Sequence, residues 1–347
     1  MGDPVLVEVL RGSRVESRHC GAIAVCDVDG REVFTLGDVS APVFPRSAIK
    51  ALQALPLVES GAADRFCLTP GEIALACASH SGEPVHASTA RDMLEKCGRG
   101  VGTLECGVHW PLSNEAARAL AARGTGPTAL HNNCSGKHAG FVCLSCAMGV
   151  EPAGYVNAGH FVQREIKAAI EEMTKTRLDQ HARAVDGCSI PTYATPIRAL
   201  AHGFARFGCG HGLPPARAAA ARRIREAVAA YPALVAGAGR FDTLVAETLG
   251  LRAFVKTGAE GVYCGAFPES GLGVAIKCED GAGRAAETAM AALIARFLPL
   301  SDTEHAALAE RLEPPIRNWN GATVGLIRAS SALTRQTAKQ SARRAGV

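Results

Sequence analysis

Amide, thiol, hydroxyl, amine and imidazole groups crowd into one short stretch, Leu130-His131-Asn132-Asn133-Cys134-Ser135-Gly136-Lys137-His138-Ala139-Gly140. An apolar run, Phe141-Val142-Cys143-Leu144, follows at once. A helix from about Gly136 to Met148 would bury that run and present the polar groups from a rigid base. The same residues also suit a plain polar turn, with Asn133 or Ser135 capping a buried helix. Cys143-x-x-Cys146 lies between apolar neighbours and reads as core rather than as a redox or zinc pair.

A second stretch pairs a hydroxyl with an amine. Pro45 suits a helix start, and Ile49, Leu52 and Leu55 recur at helical spacing behind it. Ser47 and Lys50 then sit three residues apart on one face of the first turn. The positive end of the helix dipole and loss of solvent both disfavour a protonated amine there. A neutral lysine beside a serine is its general base. A capping serine with a solvated lysine would carry the same spacing.

Three more stretches carry reactive groups. Glu72–Ala78 reads as a buried strand ending in Ser79-His80-Ser81-Gly82-Glu83-Pro84, with Ser79 the main candidate and Glu83 and His86 weaker ones. Asp186-Gly187-Cys188-Ser189-Ile190-Pro191 is a tight turn exposing a thiol near a carboxylate. Lys256-Thr257-Gly258, at a strand end, sets an ammonium and a hydroxyl beside backbone that a ligand can approach closely.

The elements that must position these groups follow a simple order. Strands come first: Pro4–Leu10, then Ala22–Val28 and Arg31–Leu36 around a type I′ turn at Asp29-Gly30. Helical patterns fill the middle, at Ser88–Cys97, Glu115–Ala122, Phe161–Lys175, Pro196–Phe207 and Pro214–Ala230. Strands return at Arg252–Thr257, Gly261–Phe267 and Gly271–Cys278, and helices close the chain at Arg284–Phe297 and Asp302–Leu312. Regular strand–helix alternation is missing, which disfavours a doubly wound parallel sheet. The expected class is α+β: one antiparallel sheet from N- and C-terminal strands, flanking helices, and a helical middle lobe. Residues 1–327 make one catalytic domain of two interleaved lobes. The sheet lobe takes about 1–80 and 250–327, and the helical lobe about 81–249. Residues 328–347, with five basic side chains and no acidic one, are expected as a mobile basic tail. The cleft between lobes receives Ser47 and Lys256.

Composition narrows the function. Of 347 residues, 48% are hydrophobic and 20% charged, enough for a large core. A net charge of +4 is too mild to imply nucleic acid, and no apolar run is long enough to span a membrane. Thirteen scattered cysteines and a start without a leader pattern predict a reducing cytoplasm.

The four motifs around Ser47, Ser79, Asn133 to His138 and Cys188, in that order, resemble the Rhizobium-type L-asparaginases, also called the L-asparaginase II or class 3 group. Their fold is serine β-lactamase/glutaminase-like. The likeness covers nearly the whole chain, apart from the basic tail. It implies a cytoplasmic homodimeric amidohydrolase that converts L-asparagine to L-aspartate and ammonia. It implies two serine–lysine pairs, Ser47 with Lys50 and Ser79 with Lys137, and zinc held by Cys134, Lys137 and Cys188. Ligand chemistry alone would choose His138 over Lys137, since lysine must lose a proton to coordinate, so His138 stays open as ligand or hydrogen-bond partner. For substrate, Arg46 is first choice for the α-carboxylate, Asp186 and Glu83 for the α-ammonium, with Asn133 and Lys256 completing the site. Ser47 is the preferred nucleophile because its helix-start position matches that of the β-lactamases; Ser79 is second. Two alternatives remain: a glutaminase or other Ser-Lys amidohydrolase of this fold, and a non-catalytic zinc or thiol sensor built on Cys134 and Cys188.

Overall fold

The computed structural model describes residues 2–334. Its spine is a long strand, β2 (Arg14–Cys26), which follows β1 (Val5–Arg11) and precedes β3 (Glu32–Leu36). Late in the chain come β4 (Phe254–Thr257), β5 (Val262–Phe267), β6 (Leu272–Cys278), β7 (Pro315–Arg317) and β8 (Thr323–Ala329). These form one eight-stranded sheet in the order β7-β8-β1-β2-β6-β5-β4, with β3 also on β2. Every pairing is antiparallel. Ile23 of β2 faces Ile276 of β6 on one side and Leu36 of β3 on the other. The expected α+β arrangement is therefore present, with terminal strands joined in one sheet and helices between them in sequence.

Strand β2 shows why both faces are covered. Ala22, Ala24 and Cys26 point one way, Ile23 and Val25 the other, and all are buried. The small face packs against the helical lobe, including the helix Ile197–Cys209 through Leu200, Ala201 and Phe204. The large face packs with Met290, Leu293 and Ile294 of the closing helix in a second core. A hydrophobic run without alternation is what a strand between two cores requires.

Seven helices matter to the site: α1 (Lys50–Gln53), α2 (Pro70–Ala76), α3 (Pro84–Lys96), α4 (Ser135–Ala147), α5 (Ile197–Cys209), α6 (Phe241–Leu249) and α7 (Gly283–Phe297). The expected strand over Glu72–Ala78 is in fact α2. Thr69 and Glu72 form a reciprocal capping box with Pro70 inside it, and these local bonds outweigh the apolar run. The helix expected from Pro45 is broken into a 3-10 turn, Arg46–Ile49, then α1, then Leu55–Glu59. The cap of α4 is neither Asn133 nor Ser135 but Cys134, without a side-chain bond. At the first hairpin only Gly30 has positive φ, so the turn is not type I′. Asp27 builds it instead, accepting from Asp29 N at 3.0 Å and Arg31 N at 2.9 Å.

The lobe boundaries also move. Residues from Ala48 to Ala78 pack in the helical-lobe core. Arg328 and Ala329, expected in the tail, pair with Glu8 and Val7 of β1, and Leu333 is buried. Residues 335–347, the rest of that expected tail, lie outside the described residues. No helix among the described residues is long and apolar enough to cross a membrane.

Candidate active site

Stretches far apart in sequence meet between the two cores. The turn Arg46–Ile49 brings Ser47, half-buried, to the lip of the cleft. Arg46 holds a left-handed φ of 51°, uncommon for a residue with a side chain. Its Nε donates to Asp186 Oδ1 at 2.8 Å, tying this turn to the Cys188 loop. From the other side, the end of β4 presses on the same turn. A Cβ at Gly258 would lie 2.9 Å from Pro45 O and 3.1 Å from Ala48 N, so only glycine fits there.

Lys50 is fully buried at the centre. Its Nζ lies 2.5 Å from Ala78 O, 2.9 Å from Ser79 Oγ, 3.1 Å from Cys134 Sγ and 3.4 Å from Asn133 O. Burial pushes the amine pKa down; the Cys134 and Cys188 sulfurs oppose this, and Lys137 adds to it. The structure does not form the two pairs expected from the motifs. Lys50 reaches Ser79 rather than Ser47, because the carbonyls of Ala78 and Asn133 draw the amine inward. Lys137 reaches Cys188 Sγ at 3.0 Å, and among the described residues no hydrogen bond joins it to Ser79.

The Ser79 loop is locked by its backbone and by a neutral histidine. Ser79 N donates to Val235 O at 2.9 Å and His80 N to Asn133 O at 3.2 Å. His80 accepts from Gly82 N at 3.1 Å through Nδ1 and lies 2.9 Å from Ser135 Oγ through Nε2. Burial, then the neighbouring His86, holds the His80 pKa well below its ordinary value. Helix α4 seats closely on α2, because at Gly136 a Cβ would collide with the backbone and side chain of Leu75.

Two thiols and an amine gather behind this loop. The Cys134 and Cys188 sulfurs are within hydrogen-bonding reach of each other. That contact lowers the Cys134 pKa well below its ordinary value against the effect of burial, with help from Lys50 and Lys137. The same contact and burial raise Cys188. Lys137 loses by burial but is raised overall by Cys188, Cys134 and Asp186. Two sulfurs and a nitrogen fit a thiophilic divalent cation such as zinc, provided the lysine gives up its proton. Among the described residues, no three His, Cys, Asp or Glu side chains gather in a metal-holding group. His138 stands apart from the sulfurs in its bonding: its Nδ1 is 2.7 Å from Tyr155 Oη, and its Nε2 has no hydrogen-bond partner among the described residues. Tyr155 Oη also accepts from Glu105 N at 2.8 Å.

The remaining candidates divide. Asp186 is pushed up by burial but pulled lower overall by Lys137 and Arg46. Asn133 is half-buried and contributes its carbonyl to Lys50. Glu83 is not brought to this group. It caps α3 with His86 and accepts from Ala238 N at 3.3 Å. Lys256 is fully buried, 3.5 Å from Asp242 Oδ2 and 3.0 Å from Thr257 O. Burial brings it down to about 8, with Asp242 opposing and Lys50 assisting. Asp242 is a residue the motifs did not reveal. Tyr263 and Thr257 N both donate to it. Its only sequence signal is an acid in the first turn of α6, next to the apolar Leu244, Val245 and Ala246.

A serine hydroxyl bonded to a buried amine whose pKa burial pushes down is equipment for cleaving amides, and the chain is an amidohydrolase of asparaginase type. The family model for L-asparaginase II matches residues 7–329, and the chain belongs to that family. Similar solved structures include a β-lactamase from Mycobacterium bovis, with TM-score 0.38 and 16% identity over 84% of this chain and 94% of that one. A β-lactamase from Burkholderia ambifaria follows, with TM-score 0.37 and 16% identity over 81% of this chain and 96% of that one. Mglu gives TM-score 0.33 and 15% identity, over 77% of this chain; the match spans 64% of Mglu's own length. A search of curated proteins returned no match.

Proposed function

We propose that this protein hydrolyses the side-chain amide of L-asparagine to L-aspartate and ammonia, with Ser47 as nucleophile and Lys50, through Ser79, as general base. The carrying observation is the buried Lys50–Ser79 contact of 2.9 Å, with the half-buried Ser47 three residues before Lys50 in the chain. Ser79 is 5% exposed and its own N–H is spent on Val235 O, so it makes a poor first contact for substrate. Ser47 is half-buried in the turn Arg46–Ile49 and is the more accessible of the two serines.

Ser47 Oγ attacks the amide carbon. Its proton passes through the Ser79 hydroxyl to Lys50 Nζ and returns to the leaving nitrogen, which departs as ammonia. Water then attacks the acyl-enzyme, gives its proton to Lys50 by the same route, and Ser47 regains a hydrogen as aspartate leaves. Arg46 keeps its terminal amines for the substrate α-carboxylate while Nε holds Asp186. Asp186 faces the α-ammonium, and Asn133 lines the wall. Lys256, behind the Ser47 turn, sets the local charge rather than touching substrate.

Cys134, Lys137 and Cys188 are the residues that would hold zinc. When bound, the metal would supply a fixed positive charge that orders both loops and keeps Lys137 unprotonated. The thirteen free thiols favour a reducing compartment, the cytoplasm, and we place the protein there as a homodimer.

The test is ammonia release from L-asparagine and L-glutamine, and ring opening of a chromogenic β-lactam followed by absorbance, with and without chelator. Turnover of asparagine well above the other two supports the reading. Equal or greater release from glutamine overturns the substrate assignment, and no release from any amide overturns the enzyme. An electrophilic diazoketone analogue of asparagine separates the serines. It should label Ser47 in the native protein and in Ser79→Ala; a label on Ser79 instead reverses the roles.

A further inference from the structure

Helix α4 carries sulfur at its far end too. Cys143 and Cys146 lie three residues apart on one face near its C-terminus. Cys97 caps the C-terminal end of α3, which packs alongside. The Cys97 sulfur is within hydrogen-bonding reach of both Cys143 and Cys146. With all three protonated, Cys97 bonds Leu94 O at 3.2 Å and Cys143 bonds Met93 O at 3.3 Å. Cys97 and Cys146 are half-buried; Cys143 is buried. Arg99 lies against Cys146 and adds positive charge near Cys97. None of these groups takes part in the amide chemistry.

We propose that this cluster is a peroxide-reactive thiol site, in which Cys97 is oxidised first and Cys146 closes a disulfide with it. The accessible sulfur, a guanidinium beside its partner and two thiols able to donate to a thiolate are the surroundings that activate a cysteine. The Cys143 hydrogen, turned from Met93 O to Cys97, is the largest of these influences, and the Cys97 thiol comes down to about 7 despite burial. In the first step the Cys97 thiolate attacks a hydroperoxide. An S–O bond forms, the O–O bond breaks, and the departing oxygen takes a proton to leave as water or alcohol. In the second step the Cys146 sulfur attacks the sulfenic acid. An S–S bond forms, the S–O bond breaks, and water leaves with the Cys146 proton. Two thiols supply two electrons to one peroxide.

The protein contains its own references, since Cys67 and Cys209 are the two exposed cysteines. The reduced full-length protein is treated with equimolar hydrogen peroxide at pH 7, alkylated and mapped by mass spectrometry. Cys97 should lose its alkylation several-fold faster than either reference, although both references are more exposed. A peptide pair linked through Cys97 and Cys146 should appear, two hydrogens lighter than the reduced pair. In Cys146→Ser, a dimedone adduct on Cys97 should replace the link. Cys97→Ser should show neither product while releasing ammonia from asparagine at the native rate. Oxidation of Cys67 or Cys209 ahead of Cys97 overturns the site. A link from Cys97 to Cys143, or a sulfinic acid without any link, overturns the role given to Cys146.

Discussion

The two ends of one helix, Ser135–Ala147, hold sulfur in different company. At the N-terminal end, Cys134 and Cys188 are buried between Lys50 and Lys137. At the C-terminal end, Cys143 and Cys146 meet Cys97 beside Arg99, and two of the three sulfurs are half-exposed. The residue type is the same, and the surroundings decide its use. Enclosed sulfur beside amines can be shared with a metal but is shielded from solvent oxidants. Half-exposed sulfur beside other thiols can exchange electrons. The amines at the first end are also what makes it an amide-cleaving site.

The largest effects should fall at the N-terminal end. Ser47→Ala should lower kcat for asparagine by as much as about 10⁶-fold, the scale for removing a nucleophile that acts in concert with its base. Ser79→Ala should cost almost as much, since the two would act as a unit. Lys137→Met should lose bound zinc in elemental analysis together with activity. Unchanged zinc in that variant would remove the amine from the metal site and leave the two ends of the helix more alike than argued here.

Lys256 is the next test, because it shares the burial of Lys50 without any bonded sulfur. Its folded pKa, about 8, is below the unfolded value of about 10.4. Between those values the unfolded chain binds the extra proton, so stability rises with pH from about 8 to about 10.4. The full difference is on the order of 3 kcal/mol. Denaturant unfolding from pH 7.5 to 10 should show this slope, and Lys256→Met should flatten it. Below about pH 8, where Lys256 is protonated, the same variant also leaves Asp242 without its counter-charge. An unchanged slope would mean that burial does not govern this lysine.

Much of this was legible in the chain. Terminal strands with helices between them gave the α+β arrangement, and the motifs at Ser47, Ser79, Cys134 and Cys188 do converge. The lysine partners were not legible, because side-chain reach depends on which carbonyls wait at the far end. Lys50 and Ser47 are neighbours in sequence, yet Ala78 O and Asn133 O take the amine elsewhere. Glu83 was misplaced for a similar reason: its helix cap and Ala238 N claim the carboxylate. Helix α2 was misread although Thr69 and Glu72 announced it. Cys143 did pack as core, with Cys146 half-buried against it, but their third sulfur comes from another helix, and no local spacing could supply Cys97.

Packing separates the two ends as well. Gly136→Ala drives a methyl group into Leu75 and should cost about 2 kcal/mol or more, the usual range for overpacking a tight contact. Thermal unfolding would show the loss, and a native midpoint would mean that α2 and α4 can separate slightly at no cost.

The smallest effect should come from Cys146→Ser. This sulfur is half-buried, sits beside Arg99 at the helix's far end, and fills no enclosed space in the core. A hydroxyl is smaller but can still meet the guanidinium, so stability should change by no more than about 0.5 kcal/mol. Turnover of asparagine should also stay native, because nothing at this end touches the substrate. What should change is the response to peroxide, where the native protein forms a link and the variant stops at the sulfenic acid. If Cys146→Ser instead lowers kcat under reducing conditions, the two ends communicate through α4. The division drawn between a metal-holding end and an oxidisable end would then fail.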